Sequence, residues 1–204
     1  MPHAIYGISG SPCCGKSTVA ELLTRRHGLH LYSLDEELGR MMKLLAREGN
    51  ALCRRMLKPW DDGTWAPDPR ELCREQERLY EAIFPMVWQE ISALAEEKPV
   101  LAEGAGLMPV LLQMVGVPPG RCLCMIPTWE FQWEHYSKRD WVDLFLQNCT
   151  RPDLAFRRWM ERDCLFAARR QKEAQALGHP VLLVDGTLRL EQTLARAQKA
   201  LGLA

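Results

Sequence analysis

One stretch near the amino end has residue types at a spacing that can hold a phosphate: Gly10, Ser11, Pro12, Cys13, Cys14, Gly15, Lys16 and Ser17. Glycine at both ends of this loop lets the backbone wrap, so that successive N–H groups converge on phosphate oxygens. A helix starting at Lys16 would add its own unpaired amides. Lys16 supplies a mobile point charge for β and γ phosphates, and Ser17 offers a hydroxyl to Mg²⁺, with Thr18 behind it. Cys13 and Cys14 occupy variable positions of the loop. A helix start lowers a thiol pKa, but the plainer reading is of small residues that the loop tolerates.

Such a loop works only between a strand and a helix, and the surrounding pattern provides both. Short apolar runs predict buried parallel strands at Ala4 to Ile8, Val100 to Ala102, Cys122 to Ile126 and Val181 to Val184, with a further one at Leu29 to Ser33. Lys16 to His27 reads as a helix with Val19, Leu22 and Leu23 inward and Gly28 as its C-cap. Ser33 followed by Glu36 has capping-box spacing and starts a second helix. The loop from Lys58 to Pro69 ends in Asp68-Pro69, a helix-start signal. Beyond it Leu79, Ile83, Val87, Ile91 and Leu94 form the stripe of a long half-buried helix, which Pro85 should kink. Right-handed crossovers then give a three-layer α/β domain, a five-stranded, mostly parallel sheet with helices on both faces. A single domain spans 1–204, with a core of 1–35, 98–127 and 179–204. Residues of about 36–97 and 128–178 are insertions, read as substrate-binding and lid segments.

Composition narrows the function. The chain has 204 residues, 47% hydrophobic and 25% charged, enough apolar material for a full core. Lys plus Arg and Asp plus Glu both number 26, so there is no net positive field and duplex binding is disfavoured as the main activity. The longest uncharged run, Gly104 to Gly120, holds four Gly and three Pro and does not read as a membrane span. With no basic and apolar leader before Lys16, the expectation is a cytoplasmic protein whose eight cysteines are reduced thiols. Cys122 and Cys124 share a strand face and read as core, because no second Cys or His pair has zinc-ligand spacing. Nothing in the sequence speaks to oligomeric state.

A regulatory GTPase needs Asn-Lys-x-Asp and a well-placed Asp-x-x-Gly, and neither occurs at a suitable position. Gly7-Ile8-Ser9-Gly10 through Ser17-Thr18-Val19-Ala20, an Asp at 35 and Ala102-Glu103-Gly104 resemble the small P-loop kinases. This P-loop NTPase group includes nucleoside, nucleoside monophosphate, shikimate, gluconate and uridine kinases. The resemblance covers the sheet scaffold, about half of the chain, and adenylate kinase is set aside because Glu103-Gly104-Ala105-Gly106 replaces that subgroup's Asp-Gly-x-Pro-Arg. It implies an ATP- and Mg²⁺-dependent kinase that moves the γ-phosphoryl to a hydroxyl or phosphate of a small metabolite, of the nucleoside, nucleotide or sugar-like acid classes. It also implies that Asp35 contacts the acceptor hydroxyl, as a similarly placed acid does in shikimate and uridine kinases.

The chemistry agrees, since an acceptor alcohol benefits from a carboxylate that orients it and takes its proton late. Glu36 is the nearest rival to Asp35. Glu103 ends a buried strand on the sheet's carboxyl edge and is read as holding Mg²⁺ through water or orienting substrate. Residues 61–81 carry seven acids against three Arg, and residues 151–172 seven basic groups against three acids, which marks the second segment as the lid. Arg158 and Arg162 share a helical face, with Arg151 and Arg157 nearby, and the resemblance implies that one or two of them stabilise the transferring phosphoryl.

Trp129, Trp133 and Tyr136 have helical spacing and read as core, whereas Trp60 and Trp65 flank an acidic loop as exposed aromatics for a base or sugar. Val184-Asp185-Gly186-Thr187 resembles the turn that passes the adenine ring, and Gly186 equally suits a simple β-to-α turn. Two other readings share the cradle: a nucleotide-binding switch that transfers nothing, and a kinase of polynucleotide ends, which predicts steep salt dependence.

Overall fold

In the computed structural model, which describes residues 2–203, five strands form one sheet in the order β2-β3-β1-β4-β5, every neighbouring pair parallel. The strands are β1 (Ile5–Gly10), β2 (His30–Ser33), β3 (Val100–Glu103), β4 (Cys122–Pro127) and β5 (Val181–Val184). Each expected strand is present. β1 runs on to Gly10 because Ser9 and Gly10 remain paired with Cys124 and Met125 of β4. Strand order reverses between β1 and β3, so their carboxyl ends open the crevice where ligands sit in such sheets.

The helices are α1 (Lys16–His27), α2 (Leu34–Arg47), α3 (Ala51–Met56), α4 (Asp62–Trp65), α5 (Pro69–Glu97), α6 (Pro109–Met114), α7 (Trp129–Tyr136), α8 (Asp140–Leu146), α9 (Pro152–Ala176) and α10 (Leu190–Ala200). α1 ends as expected at Gly28, whose φ of 63° is the left-handed conformation that glycine adopts freely. α5 begins at Pro69 with the Asp68 carboxylate accepting from the Arg70 N–H, and its helical pattern continues through Pro85. Ile83 and Phe84 before that proline and Val87 after it are all buried. The Lys58–Pro69 loop is not wholly irregular, because Asp61 and Thr64 form a capping box that winds α4.

Two apolar layers sandwich the sheet. One holds α1 and α10 against Ile8, Leu101, Leu123 and Met125, and the other packs α2, α5, α6 and Phe166 of α9 against Val100, Ala102 and Cys122. Ala167 and Ala174 of α9 continue the second layer over Cys124 and Ile126. The acidic and basic segments partly answer each other, since Arg169 and Arg170 of α9 both pair with Glu77 of α5, at 2.6 and 2.9 Å. None of the eight cysteines is in a disulfide. Among the described residues, no helix is long and apolar enough to cross a membrane.

Candidate active site at the carboxyl edge of the sheet

The loop from β1 to α1 has the shape its glycines require, each for its own reason. A Cβ on Gly10 would lie 1.9 Å from the Met125 carbonyl oxygen, which also accepts the Ser11 N–H at 3.2 Å, so the loop starts pinned to β4. Gly15 has open space but a φ of 79°, and Cys13, at φ 67°, also adopts the left-handed conformation. Left-handed residues interspersed in a tight turn point successive N–H groups inward, the arrangement that receives anions. Gly15 caps α1 without a side-chain bond, leaving the first-turn amides free for such a guest.

Lys16 is buried, its Nζ donating to the Ser11 carbonyl at 2.9 Å. Burial opposes its charge, but Cys14, Asp35 and Glu103 outweigh that and hold the ammonium pKa above its ordinary value. The Ser11 hydroxyl donates to the Asp163 carbonyl of α9 at 3.3 Å, which ties the loop to the helix above it. Pro12 and Cys13 are half-buried, and Ser17 and Thr18 are exposed. Burial raises the thiol pKa of both Cys13 and Cys14, so the loop does not activate them as a helix start alone suggests.

Glu103 stands beside the loop. Its Oε1 accepts the Ser17 hydroxyl at 3.2 Å and the Ser33 hydroxyl at 2.6 Å, while its buried Oε2 has no partner. Burial pushes its pKa up, against the pull of Ser33 and Lys16. The expected capping box of Ser33 with Glu36 does not form. Ser33 is the N-cap of α2, but it makes no side-chain cap bond, because the parallel register sets it opposite Glu103 and its hydroxyl goes there. The Ser17 hydroxyl and the Glu103 carboxylate, with its unpaired Oε2, are hard oxygen donors of the kind that suits Mg²⁺, which keeps several of its waters. Among the described residues there is no cluster of three or more His, Cys, Asp and Glu side chains, so any such ion would rely on Ser17, Glu103, water and phosphate.

Asp35, in the first turn of α2, arrives at the same edge. A Cβ on Gly104 would come within 2.8 Å of Leu34 Cβ and 3.4 Å of Asp35 Oδ1, so the bare backbone after β3 leaves room for that turn. Asp35 also lines an open-mouthed cavity of about 830 Å³ between α2, α3, the loop before α4, α5, α8 and Arg162. The cavity's aromatic wall differs from the sequence expectation: Trp65 is buried, and Trp60 is half-buried against it with ring centroids 5.1 Å apart. Of the expected core stripe, Tyr136 is buried and Trp133 packs on Phe156, but Trp129 is exposed.

The basic residues of the 128–178 segment have different environments. Arg162 is bound to Asp163 at 2.6 Å, with its guanidinium 5.4 Å from the Trp65 ring. Arg158 donates to the carbonyls of Trp65 and Ala66. Arg151 and Arg157 are exposed and paired with Asp153 and Glu161 on their own helix. Gly186, at φ 85°, follows β5 with the Phe131 ring 3.3 Å from where its Cβ would be, and Asp185 braces the turn through Thr187.

Two residues at this edge escaped sequence reasoning. Ser33 was legible in principle, because parallel pairing of β2 with β3 fixes its place opposite Glu103. Arg139 was not. It reaches from the start of α8 to within 3.7 Å of the Cys13 sulfur while lying 5.4 Å from the Tyr136 and Trp141 rings, and no local pattern announces that contact.

No protein-family model matches the chain, and no curated protein matches its sequence. Solved structures do match. Shikimate kinase from Bacteroides thetaiotaomicron superposes with a TM-score of 0.54 over 98% of both chains at 11% identity. TT1252 from Thermus thermophilus gives 0.52 over 100% of this chain and 98% of its own at 22% identity. An uncharacterized protein from Eubacterium ventriosum gives 0.54 over 99% of both at 12% identity. At these identities the likeness is one of fold, and the chain has the three-layer fold of the small P-loop kinases.

Proposed function

We propose that the protein is an ATP- and Mg²⁺-dependent phosphotransferase that moves the γ-phosphoryl of ATP to a hydroxyl of a small molecule. The observation that carries this reading is the position of Asp35, with the cradle's partner Glu103 and Gly104 on one side and an acceptor-sized cavity on the other. The loop from Gly10 to Thr18 binds the triphosphate through its amides. Lys16 releases the Ser11 carbonyl and neutralises the β and γ oxygens. Ser17 and Glu103 would hold Mg²⁺, which would supply positive charge to the phosphates. Asp35 orients the acceptor hydroxyl. The acceptor oxygen bonds to Pγ as the bond from Pγ to the β-bridging oxygen breaks, and the hydroxyl proton passes to Asp35. Arg158 serves the phosphoryl group on closure, exchanging its present carbonyl partners for phosphate oxygens, and Arg162 lends positive charge there while it stays on Asp163. Gly186, in the turn after β5, would pass the adenine ring.

The test is calorimetric titration with MgATP, followed by incubation with γ-labelled ATP and a panel of hydroxyl acceptors. Label is expected to move to an acceptor, and Lys16→Ala is expected to lower transfer by roughly 10²–10³-fold. ATP binding with no transfer to any acceptor would favour the switch reading. Steeply salt-dependent polynucleotide binding would favour the polynucleotide-end kinase.

A further inference from the structure

The cavity beside Asp35 also bears on which acceptors can enter. Three cationic side chains lie on its walls, and two are already neutralised: Arg55 is 2.6 Å from Glu75, and Arg162 is 2.6 Å from Asp163. Lys58, the third, is exposed. Asp35, Asp61 and Glu75 face them from the same walls, so the lining has no excess of positive charge, and Asp163 behind Arg162 tips the balance negative. An entering carboxylate or phosphate would lose its hydration without finding a free guanidinium fork.

The acids are not equivalent. Asp61 is occupied in capping Thr64 and Glu75 in holding Arg55, whereas among the described residues the Asp35 carboxylate has no hydrogen bond or ion pair. Of the lining acids Asp35 thus keeps a carboxylate free for a ligand, beside Gly104 at the end of β3, and another part of the lining is aromatic. There the Trp60 ring is fixed edge-on to Trp65 at 5.1 Å and tilted against Phe145 at 4.6 Å. A preformed aromatic wall with a few convergent polar groups, in a space of about 830 Å³, suits a ligand of ring-plus-sugar size.

We propose that this site takes an uncharged, ring-bearing alcohol, with its ring on the wall of Trp60, Trp65 and Phe145 and its hydroxyl at Asp35, and that it rejects carboxylated and phosphorylated metabolites. The proposal rests on the phosphotransferase reading for its reactive hydroxyl, but the selectivity is a property of binding alone.

Two probe pairs test it in calorimetric titrations of the full chain without ATP. Phenyl β-D-glucoside and phenyl β-D-glucuronide differ only by a carboxylate at C6, and adenosine and AMP only by a phosphate. In at least one pair the neutral member is expected to bind about tenfold or more tighter than its anionic counterpart. For that neutral compound Trp60→Ala should lose about tenfold and Trp60→Phe recover most of it, with MgATP affinity unchanged in both variants. Glu75→Gln, which frees Arg55, should narrow the preference for the neutral member. Equal or tighter binding of both anionic members, no binding of either neutral compound, or an unaltered affinity in Trp60→Ala would each overturn the proposal. Failure of the MgATP titration is a separate result, which removes the kinase reading and leaves these outcomes to judge the cavity by themselves.

Discussion

The proposed phosphate cradle and the proposed acceptor cavity share one edge of the sheet but are built differently. The cradle is a single run of nine residues, Gly10 to Thr18, whose shape follows from two glycines and whose charge sits on Lys16. The cavity has no such run. Asp35 comes from α2, Trp60 and Trp65 from the segment at α4, Phe145 from α8 and Arg162 from α9, and they meet only because those helices pack. A phosphate is the same in every nucleotide, so local backbone geometry suffices to bind it, whereas acceptors differ and need walls that can vary one helix at a time.

The sharpest way to break the comparison is at Asp35, which lines the cavity and whose charge also acts on Lys16 of the cradle. Asp35→Asn is expected to lower transfer by roughly 10²–10⁴-fold with MgATP affinity unchanged, as read by single-turnover kinetics beside calorimetry. Turnover equal to the parent would assign proton removal to another group. Next in size is Arg162→Ala, which strands the buried Asp163 carboxylate between cradle and cavity. Loss of one partner from a buried pair costs about 3–5 kcal/mol, to be read from urea denaturation. A loss below about 1 kcal/mol would mean that water replaces the guanidinium there.

Glu103 sharpens the contrast from the cradle side. Burial holds its pKa above its ordinary value in the folded protein, so the ionised form disfavours folding. Its contribution to stability is full below the unfolded carboxylate pKa and is lost as pH rises through the raised folded value. Glu103→Gln should therefore melt no lower than the parent at neutral pH and flatten that limb of the stability profile, while Mg²⁺-dependent transfer falls. A marked drop in melting temperature would instead make Glu103 a structural brace. The smallest effect is expected at Cys13. Cys13→Gly relieves a left-handed residue but loosens the unfolded chain, so its stability should stay within about 1 kcal/mol of the parent by thermal denaturation.

How much was legible follows the same division. All five strands and the loop could be read, because a buried parallel strand is a short apolar run and the cradle is a fixed spacing. Boundaries moved where pairing outlasts apolarity, as at Ser9 and Gly10 beside β4. The capping-box reading of Ser33 failed because a tertiary acceptor, Glu103, competed with a local one and won. Trp65 looked exposed because its neighbours are acidic and Pro-rich, yet α9 supplies Trp159 and Arg162 to cover it. The basic run from 151 to 172 marks a lid by its charge, and its spacing also offers Asp153, Glu161 and Asp163 as partners; Arg151, Arg157 and Arg162 take those, while Arg169 and Arg170 go to α5 and Arg158 to loop carbonyls. Helical spacing shows which residues share a face. It does not show which partner that face meets.

The indoles of Trp60, Trp65 and Trp159 lie within 6 Å of one another, two of the three pairings close to perpendicular. Chromophores locked at such angles give an asymmetric near-ultraviolet circular dichroism band that depends on tertiary packing alone. Because the trio bridges both insertions and lies outside the sheet, that band should fade when the insertions part, before far-ultraviolet ellipticity reports melting of the strands. The protein thus carries a built-in optical gauge of how tightly its two insertions hold together.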